Sequence, residues 1–472
     1  MVAAVLVAPL AIQGYSAGVA NPAATVRRVV SETMLAPVGG LMGRLTERIR
    51  ISPDGRHVAF VTAAPSGARV YLDGKAGPGP YTLISDPQFS PNSARLAYAA
   101  TMNDRSPLVL DGVEGSWYDA VSNPLFSPNS ARIAYAVFTR MPAPVGRKSQ
   151  VVIDGSPSAP FEAFTDPYIT FSPDSRRVAY VYGATADQAV TVLDGQPVSL
   201  PGYDSIVAEF FPNGVAYRAR KGGKSFFLLI NGREVAGPYR QIGFLTFSPD
   251  GKRTAYSMME DACVVCSQRA VVDGAVGPPY FAVGNKVIFS PDGTRWAYQA
   301  LKRPYSGVVV LDGREYAQGS DPVFSPDSRR IGFLRQSRTP PGIAAIVDRQ
   351  EGRPYRLIRQ LVFSPDSQHF AYGADRGQNL LLVVDGSERK EYPRAADSTP
   401  LVIPTFSPDS RHVLYIAPVG NDHAVVVDEN EGNRYDKIMS KIVFDSPTRF
   451  HYIARKISGF YLVEEDLVEI DH

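Results

Sequence analysis

One ten-residue pattern recurs about eleven times along this chain of 472 residues. It reads as an apolar residue, Ser-Pro-Asp or Ser-Pro-Asn, Gly or Ser, a basic residue within the next two positions, and a short apolar run ending in an aromatic. FSPDSRRVAY at Phe171–Tyr180 is one copy. Successive prolines lie between 35 residues (Pro291 to Pro326) and 45 residues (Pro128 to Pro173) apart. A period of about 40 residues is that of a four-stranded propeller blade, so the repeat constrains the fold before composition does.

Each unit carries two hairpin signals. Ser-Pro-Asp-Gly suits a type I turn, and Asp-Gly after an apolar run, as in Leu311-Asp312-Gly313, favours a tight hairpin. A unit therefore reads as strand a, turn, strand b, loop, strand c, turn, strand d. The b strands are apolar on both faces, so each sheet needs a neighbour on both sides. We expect an all-β propeller of about eleven four-stranded blades, in one large ring or two smaller rings with a seam at Phe210–Ile230.

These residues resemble the TolB-like, WD-related propeller repeat, whose pattern is an aromatic followed by Ser-Pro-Asp-Gly, a basic residue and an apolar run ending in Ala-aromatic. The resemblance covers nearly everything from about Arg48 onward, although the first aromatic is Phe, or once Ile, where the family pattern often has Trp. It implies a propeller. Because TolB-like proteins are typically exported, it also implies a place outside the cytoplasm. It says almost nothing about activity.

The segment before the repeats differs in composition. Val2–Ile12 is an apolar stretch of the length found in secretory signals, and Gly18-Val19-Ala20 offers small residues for cleavage. We expect residues 1–20 to be a signal peptide, with a tail as the alternative. Residues 21–45 read as a linker in which Gly39–Leu45 could supply a ring-closing strand, and residues 46–472 read as the propeller array. The protein is then expected to be periplasmic or secreted.

Composition narrows the possible partners. The formal net charge is +2, which gives no reason to invoke nucleic acid. No run of 18 apolar residues appears, so no membrane-spanning helix is expected. We expect a monomer that binds a protein or a glycan.

No motif for catalysis, a metal or a cofactor stands out. Gly14–Gly18 matches Gly-x-Ser-x-Gly but lacks the strand, helix and hydrolase sheet that this motif requires. Cys263 and Cys266 are the only cysteines. They suggest a small loop disulfide in an exported protein, with free thiols and a redox or metal role as alternatives. We therefore expect no enzyme activity.

Histidines replace the usual arginine at one repeat position. His57, His369 and His412 stand there, and Arg stands there in most other copies. We expect these basic residues to face the Asp of the Ser-Pro-Asp turn, which would be Asp54 in the first copy. The alternative is a ring of basic groups that engages an anionic partner.

The two ends of the blades differ in how much they vary between units. The a–b and c–d turns are nearly constant, whereas the b–c and d–a loops vary, as loops at binding surfaces do. Several variable loops are basic, and four d–a loops carry Ser/Thr-Asp/Asn-Pro. The candidate binding residues are Asp86, Asn123, Asp166 and Asp321 at the channel mouth, and Arg147, Lys148, Arg218, Arg220, Lys302, Arg303, Arg335 and Arg338 in the loops.

These observations favour a non-enzymatic scaffold that recognises a macromolecule through the b–c and d–a loops. The alternative is an enzyme of the glycan lyase or hydrolase type with its site in the central channel.

Overall fold

A computed structural model gives the architecture of the protein, and every regular element it describes is a β-strand. It describes residues 26–37, 45–140, 147–162, 167–183, 189–260, 267–303, 306–338, 340–394 and 402–469. The strands form eleven antiparallel sheets, and strands consecutive in sequence are neighbours in each sheet apart from split strands and the outer strand of one sheet. Within the described ranges, no helix has the length and apolar character needed to cross a membrane.

Each sheet is one blade, with strands in the order a, b, c, d; some inner or outer strands are split in two. Blades 1 to 4 comprise β2 (Leu45–Ile51), β3 (Val58–Ala64), β4 (Gly67–Leu72) and β5 (Lys75–Ala76); β6 (Leu83–Ile84), β7 (Gln88–Phe89), β8 (Leu96–Thr101), β9 (Ser106–Leu110) and β10 (Val113–Tyr118); β11 (Ala120–Val121), β12 (Leu125–Phe126), β13 (Ile133–Arg140), β14 (Arg147–Ile153), β15 (Ser156–Pro157) and β16 (Phe161–Glu162); and β17 (Tyr168–Phe171), β18 (Val178–Tyr182), β19 (Val190–Leu193) and β20 (Gln196–Pro197).

Blades 5 to 8 comprise β21 (Ser205–Phe211), β22 (Gly214–Lys221), β23 (Ser225–Ile230) and β24 (Arg233–Tyr239); β25 (Gln241–Phe247), β26 (Thr254–Met259), β27 (Gln268–Val272) and β28 (Ala275–Val276); β29 (Ala282–Phe289), β30 (Trp296–Leu301), β31 (Gly307–Leu311) and β32 (Arg314–Ala317); and β33 (Gly319–Phe324), β34 (Ile331–Arg338), β35 (Pro341–Val347) and β36 (Gln350–Tyr355).

Blades 9 to 11 comprise β37 (Leu357–Phe363), β38 (Phe370–Asp375), β39 (Asn379–Val384) and β40 (Ser387–Pro393); β41 (Thr405–Phe406), β42 (Val413–Val419), β43 (Asp422–Val427) and β44 (Asn430–Tyr435); and β45 (Lys437–Ile438), β46 (Val443–Phe444), β47 (Arg449–Lys456), β48 (Gly459–Glu469) and, as the outer strand, β1 (Val26–Pro37).

The eleven blades form one closed ring. The core lies between blades, because each hydrophobic cluster joins one sheet to the next. Blade 5, the expected seam, packs on both of its neighbours in this way, so the alternative of two rings is wrong. Blade 1 packs on blade 11, where the rings of Phe60 and Phe460 lie 5.7 Å apart. The a strands of neighbouring blades lie close together, as β25 and β29 do, and line the central channel.

The ring closes through β1, which pairs antiparallel with β48 from Val26↔Glu469 to Pro37↔Gly459. Inside this blade, Arg28 Nε donates to the carboxylate of Glu465 at 2.7 Å, and Tyr452 Oη donates to the same carboxylate at 2.7 Å. Gly39–Leu45 was the segment expected to close the ring. Residues 38–44 lie outside the described residues, and Leu45 begins the inner strand of blade 1.

The basic residue of each repeat holds two turns of its blade together. Its side chain lies 2.5–3.0 Å from the Asp of the c–d turn, and that Asp also accepts from the backbone N–H that starts strand b. The pairs are His57–Asp73, Arg95–Asp111, Arg132–Asp154, Arg177–Asp194, Arg253–Asp273, Arg295–Asp312, Arg330–Asp348, His369–Asp385 and His412–Asp428.

The expected partner of the basic residue was therefore wrong. The Asp of the Ser-Pro-Asp turn, such as Asp54, accepts instead from the Ser that precedes it and from backbone N–H groups of its own turn. Short local bonds satisfy this carboxylate, so the basic side chain is left for the neighbouring c–d turn.

The end of the ring formed by the a–b and c–d turns, which we call the turn end, also joins blades to one another. Arg330 Nη1 donates to the carbonyl of Ser367 in the next blade at 2.9 Å, and its guanidinium lies 5.1 Å from the ring of Phe363. Ser130, in the left-handed conformation at φ 66°, accepts at Oγ from the backbone N–H of Asn92 in the preceding blade. Polar side chains at the turn end are therefore used in contacts within the propeller. The end formed by the b–c and d–a connections does not share this repeated set of contacts.

Candidate binding surfaces at the loop end and in the channel

Most of the predicted basic loop residues lie at the end formed by the b–c and d–a connections, which we call the loop end. Several of them are paired within the chain. Lys302 Nζ lies 2.6 Å from Glu315, and this hydrogen bond, followed by one from Tyr280, holds the pKa of the Glu315 carboxyl below its usual value. Arg335 pairs with Glu351. These residues therefore form part of a mixed-charge surface.

The remaining predicted loop residues are placed as follows. Arg220 lies over the ring of Phe226 at 6.0 Å, Lys148 is half-buried in β14, and Arg303 is exposed. The backbones of Arg147 and Arg338 belong to β14 and β34, and their side chains lie outside the described part. Cys263 and Cys266 also lie outside it, so the disulfide stays a prediction.

The loop end also exposes large apolar side chains. Leu83 at the start of β6 is 62% exposed, Phe281 in a d–a connection is 56% exposed, and Ile457 in a b–c connection is 77% exposed. Met102 lies at the end of a b strand and is partly exposed. Exposed apolar residues among charged ones are a common composition for a contact surface.

One position of strand a forms a ring around the channel wall. It lies three residues before the Phe, or Ile in blade 1, that precedes each turn, and one residue of every blade occupies it. In most blades it falls in a bulge or break of the inner strand, and bulges re-aim side chains. In blade order these residues, which we call the channel ring, are Arg48, Asp86, Asn123, Tyr168, Val207, Phe244, Lys286, Asp321, Gln360, Ile403 and Lys441.

Three of the predicted polar residues belong to the channel ring. Asp321 lies within the inner strand β33, whereas Asp86 and Asn123 lie in the breaks between the two segments of their inner strands; Asn123 and Asp321 are exposed. Asp86 is paired with Arg50 of blade 1, 2.5 Å away. Asp166 lies outside the described residues.

Two of the serines that precede these polar residues, Ser85 and Ser122, have a structural role. Ser85 Oγ accepts from the backbone N–H of Ala99 at 2.9 Å, and Ser122 Oγ accepts from that of Ala136 at 2.8 Å. Each hydroxyl thus satisfies a strand b donor that the broken inner strand leaves unpaired. The Ser-Asp/Asn-Pro motif therefore shapes the bulge, while its second residue is presented to the channel.

A pocket of about 400 Å³ opens in the channel wall across blades 4 to 6. Tyr168 of the channel ring, 63% exposed, lies on one side, and Phe244 of the same ring lies on the other. Between them, Glu209 of β21 pairs with Arg218 of β22. Arg218 is thus a predicted loop residue that the structure places in the channel wall.

Sequence reasoning missed Tyr168, Phe244 and Glu209. Tyr168 and Phe244 appear as a set only when the inner strands are aligned on the Phe that recurs in the repeats. Glu209 appears only when the residue before that Phe is compared across blades. Among the described residues, no group of three or more His, Cys, Asp or Glu side chains could hold a metal ion.

Comparisons with known proteins bear on the fold alone. No protein-family model and no curated protein matches the chain. Three solved structures are similar to parts of it. One comes from a study of two prolyl endopeptidases; it is 12% identical over 62% of this chain, with a TM-score of 0.30. The match spans 54% of that chain, so this chain covers about half of the endopeptidase's length.

The other two are TolB structures. TolB from Acinetobacter baumannii is 16% identical over 56% of this chain and 77% of its own, with a TM-score of 0.24. A putative TolB from Agrobacterium tumefaciens is 17% identical over 52% and 94%, also with a TM-score of 0.24. The eleven blades themselves confirm the expected β-propeller, and the resemblance to TolB-like proteins goes no further than that fold.

Proposed function

We propose that the protein is a non-enzymatic binding scaffold that works outside the cytoplasm and holds a macromolecular partner on its loop end. The observation that carries this proposal is the unequal use of the two ends. At the turn end, Arg and His side chains, Asp carboxylates and Ser hydroxyls contact their own or neighbouring blades. At the loop end, the connections differ from blade to blade and expose apolar and charged side chains.

The partner of such a surface is expected to be a protein or a glycan-bearing macromolecule. Exposed apolar anchors such as Phe281 and Ile457 supply contact area, and the surrounding charges set orientation and exclude wrong partners. The N-terminal apolar stretch and the resemblance to exported TolB-like proteins support an extracytoplasmic location. A mature protein that begins at Asn21 in N-terminal sequencing is the expected result, and an intact Met1 on exported protein would contradict it.

Cross-linking and pull-down from the source cells test the docking surface. The triple variant Leu83→Ser, Phe281→Ser, Ile457→Ser removes apolar anchors from the loop end. Val113→Ser is the matched control, because Val113 is 70% exposed on the outer strand β10, away from the loop end. We expect the triple variant to lose the partner and the control to retain it. Equal capture by both variants would reject the loop end as the docking surface.

An enzyme with its site in the channel is the alternative. Hydrolysis of a glycosidic bond uses two carboxyl groups that flank the bond. Among the residues that line the channel pocket, Glu209 is the one carboxylate, and Arg218 already pairs with it. This arrangement supports binding over hydrolysis, and an assay with polysaccharide substrates that detected turnover would favour the enzyme.

A further inference from the structure

The channel pocket differs from the other cavities of the ring. Grooves between blades 1 and 2, 2 and 3, and 6 and 7 are equivalent to one another. Each is lined by the pair of a basic residue and the Asp of the c–d turn, and by the aromatic residue of strand b. These grooves therefore follow from the repeat itself. The channel pocket, in contrast, depends on residues that only blades 4 to 6 carry.

The charged pair of the channel pocket, Glu209 and Arg218, occupies two positions at which the other blades carry different residues. Where blade 5 has Glu209, blade 4 has Thr170; where blade 5 has Arg218, blade 4 has Val181. In the other blades the Arg218 position holds Ala, Val, Leu, Ile, Gly, Ser or Gln. Ten blades therefore fold without a charged residue at the Arg218 position. A half-buried ion pair also gains little net stability because both groups lose water. The pair is therefore not explained by the needs of the fold.

The guanidinium of Arg218 retains capacity for a ligand. Its Nε is buried and has no hydrogen-bond partner, and its Nη1 makes a long 3.4 Å contact with the carbonyl of Gly243. A buried donor without a partner is costly. A ligand that accepts a hydrogen bond and lets the side chain adjust would recover part of that cost.

The aromatic residues limit the kind of ligand. Tyr168 is 63% exposed and lines the pocket, and Phe244 lies on the opposite side of the charged pair. A flat apolar face next to one acceptor-only and one donor-only group suits a molecule that has an apolar face and hydroxyls that both donate and accept. Because Glu209 and Arg218 neutralise each other, the site carries no net charge to attract an ion.

We propose that this pocket binds a neutral sugar ring, one face of which stacks on Tyr168 while adjacent hydroxyls donate to Glu209 and accept from Arg218. The volume of about 400 Å³ lies within the range of small-ligand sites. The pocket is open to the channel, so it suits one or two residues of a longer neutral oligosaccharide. It lies in the channel wall, apart from the loop end, and does not depend on a partner docking there.

Saturation-transfer difference NMR on the full chain tests the proposal, with maltotetraose, cellotetraose and tetra-N-acetylchitotetraose as probes. We expect at least one probe to bind, with saturation strongest on the ring protons that face Tyr168. Tyr168→Ala should weaken that binding by about tenfold or more, equivalent to about 1.4 kcal/mol. Absence of signal from all three probes would overturn the proposal.

Two further variants separate binding from folding. Glu209→Thr with Arg218→Val gives blade 5 the residues that blade 4 carries at these positions, so the fold should be retained while the sugar is lost. Gln360→Ala changes the channel ring in blade 9, away from the pocket, and should leave binding unchanged. Undiminished binding by the double variant, or an equal loss in Gln360→Ala, would show that the sugar does not use this pocket.

Discussion

Glu465→Ala is predicted to open the ring at its closing blade. The Glu465 side chain is fully buried in β48 and accepts from Arg28 of β1 and from Tyr452 of β47, each at 2.7 Å. It is thus the one described carboxylate that joins three strands of blade 11 from inside. Removing it leaves the guanidinium of Arg28, only 9% exposed, without its counter-charge.

The expected cost follows from that burial. Breaking a buried ion pair by deleting one partner costs about 3–5 kcal/mol, because the other charge stays buried and uncompensated. Each 1.4 kcal/mol is a factor of ten, so release of β1 should become roughly a hundred- to several-thousand-fold more favourable. Arg28 also donates to the carbonyls of Val425 and Asn430 in blade 10, so the change should be confined to blade 11 and its contact with blade 10.

Hydrogen–deuterium exchange measures this directly, since amides of β1 and β48 report the opening of that strand pair. Glu469→Ala is the matched control: Glu469 lies on the same strand, but its pair with Arg411 at 3.2 Å is largely exposed, and such pairs contribute about 0–1 kcal/mol. Similar exchange in the two variants, or a loss of protection spread evenly over all blades, would refute the reasoning.

Three further predictions concern the turn end. The hydrogen bond with Asp428 raises the pKa of His412, so the stabilising contribution of His412 is complete below its unfolded pKa of about 6.5 and is lost as pH rises through the higher folded pKa. The free energy of unfolding, measured from pH 5 to 9, should therefore fall with rising pH in the wild type, and His412→Arg should remove this contribution to the fall. Ser130→Ala should lower the free energy of unfolding by about 1–2 kcal/mol, because the hydrogen bond from Asn92 is lost and φ stays positive. Ser130→Gly loses the same bond but tolerates a positive φ, so its stability should be nearly unchanged. Equal melting temperatures of the two variants would contradict this. Arg330→Lys should lower stability by about 1 kcal/mol in denaturant unfolding, since Lys cannot both contact its own Asp and stack on the next blade, and an unchanged midpoint would count against that role.

The period and the two turn signals predicted the fold well because they are local. Ser-Pro-Asp and Asp-Gly define the hairpins of each blade, and the doubly apolar b strands require stacked neighbours. Ring closure was beyond this reasoning, since β1 has no repeat of its own and pairs with residues more than 400 positions away, as Val26↔Glu469 shows.

The candidate site was only partly predictable. Asp86, Asn123 and Asp321 were recognised as a set because they share a motif with a following proline, and the structure places them in the channel ring. Tyr168 and Phe244 occupy the same ring without that motif. Contacts such as Lys302–Glu315 depend on side-chain reach across strands, so a basic loop in sequence need not be a free basic surface.

The split origin of blade 11 has a consequence for synthesis. Its outer strand is among the first segments of this sequence to leave the ribosome, and its other strands are among the last. At translation rates of about 5–20 residues per second, the nascent chain spends roughly 20–90 seconds as an open arc with a bare edge at each end. Until the final hairpin emerges, that arc is the form of the molecule that chaperones and export factors would meet.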